Sequence, residues 1–380
     1  MLEGTSGWFD GWVGFATALV VTLAATPLVR SLALRWRLGD KPNGRKVHAR
    51  PIPHLGGIAL FLGVLAALAP MAMRGLDGGT TLSLAVKAVP VILLIVLLGL
   101  VDDTRNLRAR HKLLVQAFAA AALLGIGFRL FTGVWVLDSS FIALSLVSLF
   151  FMVGMLSSVN LVDGHDGLAA GVSLLSAAAF AVIGAAAGVP DAVALSLSVC
   201  GACLGFLVFN FPPGRIYMGD TGSMLLGLLL ALTACMVSMR APSANMFAAV
   251  VFVLGVPLLD TALAIARRIV LRAPLFAADS LHMHHILRDA GLSPRRTLFV
   301  LYGVQMFFCL LGIGASFGWV LPVIVGLAFA SLLFVSFLRM MVEEREATEP
   351  AVARHMGAKP IPFQSTFTTG LQERRTSVGQ

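Results

Sequence analysis

Eleven apolar runs, each near the length of one bilayer crossing, constrain this chain before any single residue does. They fall at about 11–29, 55–73, 84–101, 113–131, 141–159, 167–188, 191–210, 222–239, 246–266, 297–316 and 319–338. About 20 helical residues cross a hydrocarbon core, and inside lipid only a helix or a closed barrel satisfies every backbone N–H and C=O. Barrel strands are short and alternate in polarity, so these runs exclude a barrel. Only 12% of the residues are charged, against about 25% in a soluble domain. The expected fold class is an all-α polytopic membrane protein with about eleven transmembrane helices. Residues 1–340 read as one membrane domain. The polar, proline-interrupted tail, 341–380, is expected to be a disordered cytoplasmic segment.

Basic residues set the orientation. With the connections numbered alternately, 24 Lys and Arg lie on one side and four on the other. The basic side is cytoplasmic, which places the N-terminus outside and the C-terminus in the cytoplasm. The same distribution accounts for the net charge of +9 without a nucleic-acid partner. The N-terminus lacks the basic region of a cleavable signal peptide. Cys200, Cys203, Cys235 and Cys309 all fall in apolar runs and read as small packing residues.

The polar residues that break this pattern lie on the cytoplasmic side. The most informative stretch is Asn160-Leu161-Val162-Asp163-Gly164-His165-Asp166-Gly167, set between two apolar runs. Paired carboxylates at an interface suit a hard cation, although Asp163 or Asp166 would equally suit capping of the following helix. Asp102 and Asp103 are adjacent at the end of a run. They repel unless a cation or proton intervenes, which suits metal-assisted phosphoryl chemistry or a general base; helix capping by solvated carboxylates is the bland alternative. The loop with Arg45, Lys46, His48, Arg50, Pro51, Pro53, Gly56 and Gly57 is basic and stiff, fitting a polyanionic phosphate approached by backbone amides, or anionic lipid. Asn210, Arg215, Tyr217 and Asp220 share another loop. Arg215 can pair with phosphate, Tyr217 can stack or sit in an interfacial belt, and Asp220 can cap a helix or bind a metal. Asp260 is the one carboxylate inside a run, expected to face the bundle interior and find a partner. His282, His284 and His285 could bind zinc or a phosphate; adjacent histidines splay by about 100° on a helix, which favours phosphate.

Five motifs occur in order: Arg45-Lys46-x-His48 leading to Gly56-Gly57, Asp102-Asp103, Asn160-x-x-Asp163-Gly164-x-Asp166-Gly167, Gly219-Asp220-x-Gly222-Ser223, and His282-x-His284-His285. Over about 12–340 the chain resembles the polyprenyl-phosphate N-acetylhexosamine-1-phosphate transferases, which include the phospho-MurNAc-pentapeptide translocase. The histidine and Arg-Lys-x-His loops are similar to those of the branch that uses UDP-GlcNAc. The resemblance implies transfer of a sugar 1-phosphate from a UDP-N-acetylhexosamine to undecaprenyl phosphate in the bacterial inner membrane. UMP leaves, and a cell-surface polysaccharide such as O-antigen or teichoic acid is begun. It implies Mg²⁺, with Mn²⁺ as a substitute, and a homodimer. Carried over by motif, Asp220 with Asp163 would bind the metal. Asp102, Asp103 and Asp163 would be the catalytic carboxylates: Asp102 and Asp103 would position or deprotonate the lipid phosphate, and Asp163 would also contact the nucleotide. Asn160, Asp166 and Asn210 would contact the nucleotide, and Tyr217 would stack on uracil. Lys46, His48, Arg50, Lys112 and Arg215 would hold phosphates, and His282, His284 and His285 the diphosphate or sugar. His165 and Asn106 depart from the pattern.

Two other classes of protein share features with this chain. An ion-coupled transporter or flippase places its charges near the midplane in repeated halves, whereas here all clusters but Asp260 share one face and no repeat is visible. An intramembrane zinc hydrolase would rest on the three histidines alone.

Overall fold

The computed structural model describes residues 2–36, 53–76, 84–270 and 282–354, and every regular element among them is a helix. The helices are α1 (Leu2–Arg35), α2 (Gly56–Leu76), α3 (Leu84–Lys87), α4 (Val89–Arg105) and α5 (Ala109–Ile126). Next come α6 (Trp135–Asp138), α7 (Phe141–Val162), α8 (Leu168–Ala186), α9 (Pro190–Asn210) and α10 (Gly219–Arg240). The chain continues with α11 (Ala244–Val253), α12 (Gly255–Val270), α13 (Met283–Asp289), α14 (Pro294–Ser316) and α15 (Val320–Arg354).

Among the described residues, eight helices are long and apolar enough to cross a membrane, and the bent pair α11–α12 makes a ninth if counted as one. The protein is thus a multi-pass membrane protein. The other two expected runs, 55–73 and 84–101, correspond to α2 and α4. α2 is a shorter apolar helix over Gly56–Pro70, and the 17 residues of α4 end in Asp102, Asp103 and Arg105.

The expected run 246–266 is two helices meeting at 81°. Pro257 has no N–H for the carbonyl of Val253, so the helical ladder fails there. That carbonyl instead accepts from Ser176 Oγ and Gln305 Nε2, both at 2.8 Å. Gln305 Oε1 takes the Val256 N–H at 3.1 Å. A bend inside lipid is tolerable because neighbouring side chains replace the missing bonds.

α10 is the hub. It is apolar on all sides, as a helix enclosed by others must be, and Thr221 through Ser238 are buried without a break. α2, α4, α7, α8 and α9 pack around it. α1 lies outside, against α9 and α2, through the buried stripe Ala18, Thr22, Ala25, Thr26, Val29 and Ala33. That spacing is helical, and the small residues let backbones approach in lipid, where apolar burial alone does not drive helix association. α15 is peripheral and mostly exposed over its apolar part, and it continues as helix to Arg354. The C-terminal ends of α4 and α7 and the N-terminal ends of α5 and α10 gather at one end of the bundle, where Lys112 reaches Asp102 and Asp220.

Candidate active site

Gly219 and Asp220 open α10. Asp220 therefore stands at the head of the most enclosed helix, on a backbone with little freedom to move. Lys112, in the first turn of α5, donates from Nζ to Asp220 Oδ2 at 2.6 Å and also contacts Asp102 Oδ2. Asp102 is buried, and its Oδ1 accepts the Leu107 N–H at 2.7 Å, holding the tight turn between α4 and α5. Asn106, at the end of α4, takes the left-handed conformation in that turn. One ammonium thus bridges two carboxylates drawn from α4 and α10, so three helices meet in one charged cluster.

Asp103 turns the other way. Its Oδ1 accepts the Asp220 N–H at 2.7 Å. Its Oδ2 accepts the Thr221 N–H at 3.1 Å and the Thr221 hydroxyl at 2.6 Å. Asn160, near the end of α7, donates to Ser223 Oγ at 3.0 Å and also reaches Asp220. Asp163 follows α7 directly. Burial, then the carboxylates of Asp220, Asp103 and Asp166, push its acid constant well above the usual carboxylate value. A group that like charges hold in this way is ready for a cation.

The next loop is tied down mainly by its own polar residues. Asn210 is buried, takes the Gly167 N–H at 2.9 Å and gives its amide to Ile216 O at 2.9 Å. Asp166 Oδ2 accepts the Gly214 N–H at 2.9 Å. Both residues therefore lock the two loops expected to meet the nucleotide. The Tyr217 ring lies 5.2 Å from the His54 ring, and Arg215 is exposed.

The diglycine differs in detail from expectation. The Gly56 and Gly57 N–H groups donate to Tyr217 O and Met218 O at 3.0 and 2.8 Å, so these amides serve the loop before α10 and not an anion. A Cβ on Gly57 would collide with the Gly222 backbone, which explains the glycine by helix contact.

The histidine segment docks on the Asp163–Asp166 loop. His284 is buried against Gly164, and its ring centroid lies 6.1 Å from that of His165. Burial, then His285, His282, His165 and Arg288, lower the His284 constant to about 3, and burial with His282 lowers that of His285. His282 donates from Nδ1 to Asp260 Oδ2 at 2.8 Å, and the Met283 N–H donates to Asp260 Oδ1 at 2.8 Å. The intramembrane carboxylate thus caps α13 and fixes the His282 tautomer. Lys46, His48 and Arg50 lie outside the described residues.

Sequence reasoning missed Thr221, which carried no signal, and Tyr302, whose hydroxyl donates to Gly167 O at 2.6 Å and ties α14 to the acidic loop. Among the described residues no three His, Cys, Asp or Glu side chains converge as a metal cage. Mg²⁺ needs no such cage, because one or two carboxylates, water and substrate phosphates commonly suffice. Asp220 and Asp163, with the Asn160 amide between their helices, fit that requirement.

A helical membrane protein with carboxylates, an amide and one ammonium gathered at one end of its bundle defines a class: an enzyme built to act on phosphates at a membrane surface. Residues 85–238 match the family described as Glycosyl transferase family 4. A relative from Bacillus subtilis, described as "Probable undecaprenyl-phosphate N-acetylglucosaminyl 1-phosphate transferase", is 35% identical over 302 residues, 78% of this chain and 82% of the relative. The decaprenyl-phosphate N-acetylglucosaminephosphotransferase of Mycobacterium tuberculosis is 37% identical, over 75% of this chain and 78% of its own. The phospho-N-acetylmuramoyl-pentapeptide-transferase of Geobacillus kaustophilus is 30% identical, over 79% and 96% respectively. The chain belongs to this family of polyprenyl-phosphate N-acetylhexosamine-1-phosphate transferases.

Proposed function

We propose that the protein transfers N-acetylglucosamine 1-phosphate from UDP-GlcNAc to undecaprenyl phosphate, releasing UMP. The observation that carries this reading is the Lys112 ammonium set between Asp102 and Asp220, with Asp163 and Asn160 beside them. Such a cluster handles two anions that must meet. The names of the Bacillus and Mycobacterium relatives support GlcNAc as the sugar.

An oxygen of the lipid phosphate attacks the phosphorus that carries the sugar. The bond from that phosphorus to the UMP oxygen breaks, and UMP leaves with the electron pair. Lys112 holds the lipid phosphate in line, and Asp102 keeps the ammonium in place. Asp220 and Asp163 would hold a Mg²⁺ ion, whose charge would offset that of the diphosphate, and Asn160 beside them would contact the nucleotide. The lipid phosphate is already ionised near neutral pH, so the carboxylates orient and no strong base is required. His285, the half-buried member of the trio, would meet the donor diphosphate or sugar, while the buried His282 and His284 would hold its segment in place. Nucleotide sugars are cytoplasmic, so this end of the bundle faces the cytoplasm of a bacterial inner membrane. The proposal includes eleven crossings, an external N-terminus, a cytoplasmic C-terminus and a homodimer.

The test is UMP release by the purified protein in detergent with undecaprenyl phosphate and UDP-GlcNAc, with and without Mg²⁺. Release that needs both lipid and metal, and is lost in Asp220→Asn, is the expected result. Silence with every UDP-sugar in a folded preparation would return the transporter reading.

A further inference from the structure

The family resemblance pairs Asp102 and Asp103 as catalytic carboxylates, but their surroundings divide them. Asp103 lies on α4, and all three of its hydrogen bonds go to the first turn of α10: Asp220 N, Thr221 N and Thr221 Oγ1. α10 has no cap of its own, since Met218 precedes it and makes no side-chain capping bond. A carboxylate from another helix therefore supplies the anion that a helix N-terminus favours. Gly219 makes room for it, with φ of +74°. A Cβ there would stand 2.7 and 2.8 Å from the Asp103 oxygens and would collide with the His54 carbonyl. One turn before Asp103, Gly99 brings the α4 backbone against Thr221, so the junction is close along its length. An ionised carboxylate offers about four lone-pair directions, and three are engaged here. Taking a proton from substrate would neutralise Asp103 and weaken the three bonds that hold the turn carrying Asp220.

We infer that Asp103 is a positioning residue that caps α10 from α4 and so fixes Asp220 for the divalent cation. This rests on the reading of Asp220 as the metal-holding group. Asp102, bonded to Lys112, is then the member of the pair that holds the ammonium.

Asp103→Asn and Thr221→Val, made in the full chain and purified in detergent, test it by three readouts. Both variants are expected to speed hydrogen exchange in the first turn of α10 by roughly tenfold, the scale of a lost helix cap. Both should weaken Mn²⁺ binding, read by paramagnetic resonance on the protein with metal alone, by a similar factor. The KM for undecaprenyl phosphate should stay unchanged. The double variant should be no worse than the worse single one, because both substitutions open one junction. Normal exchange protection in Asp103→Asn, with turnover lost or the lipid KM raised, would overturn the inference and place Asp103 on the substrate. Asp220→Asn separates the two readings: intact Mn²⁺ binding there overturns the metal assignment, while the exchange data still decide Asp103.

Discussion

Lys112 Nζ lies 2.6 Å from Asp220 Oδ2 and contacts Asp102 at the same time, so one ammonium is shared by two carboxylates from different helices. Lys112→Met removes the cation and keeps most of the stem. Turnover should fall roughly 10- to 100-fold, the scale of a lost charge-assisted hydrogen bond. Mn²⁺ should bind at least as well as before, because the two carboxylates then lack their internal cation. Parallel measurement of UMP release and Mn²⁺ binding checks this. Loss of both together would mean that Lys112 only holds the fold.

Asp260 and His282 form the second coupled pair. Asp260→Ala removes the α13 cap and frees the His282 ring at once. A buried carboxylate with one imidazole and one backbone N–H is expected to matter by about 1–3 kcal/mol. His282→Ala and Asp260→Ala should each lower kcat/KM, and the double variant should be far from additive. Additive losses would show that the two act separately.

The sequence reading located the polar clusters but not their partners. Apolar length alone told where the helices run. The break after Val253 was hidden, because Pro257 weakens a helix without fixing the angle, and Ser176 and Gln305 complete it from distant segments. Adjacent Asp102 and Asp103 suggested one function. On a helix, neighbours diverge by about 100°, so one meets Lys112 and the other meets α10. Asp260 was legible as a lone acid in an apolar run, since such a group must find a partner. The diglycine signalled a close approach, but only the fold reveals that Gly222 is what approaches.

His284 gives a pH signature. Burial and neighbouring positive groups hold its constant at about 3, against an ordinary value of 6.5. As pH falls below 6.5 the unfolded chain takes up a proton that the folded site refuses down to about 3. Its contribution to stability is therefore complete above 6.5 and is lost as the pH falls through that window, at up to about 1.4 kcal/mol per pH unit. His284→Gln should flatten the acid-side decline of thermal stability measured in detergent. An unchanged slope would mean that the ring is not sealed from solvent.

Two glycines in helices make opposite predictions. A Cβ on Gly57 would collide with the backbone of Gly222, and backbone cannot swing aside as a flexible side chain can. Gly57→Ala should therefore push α2 from α10, destabilise the protein by about 1–3 kcal/mol and displace the turn that carries Asp220, with turnover falling as well. A Cβ on Gly154, within α7, would meet nothing within 4 Å. Gly154→Ala should leave activity intact and raise stability by about 0.5–1 kcal/mol, because alanine loses less backbone freedom in a helix. Thermal unfolding of both variants beside UMP release decides the matter. Equal effects at the two sites would mean that the α2–α10 contact does not position the carboxylate cluster.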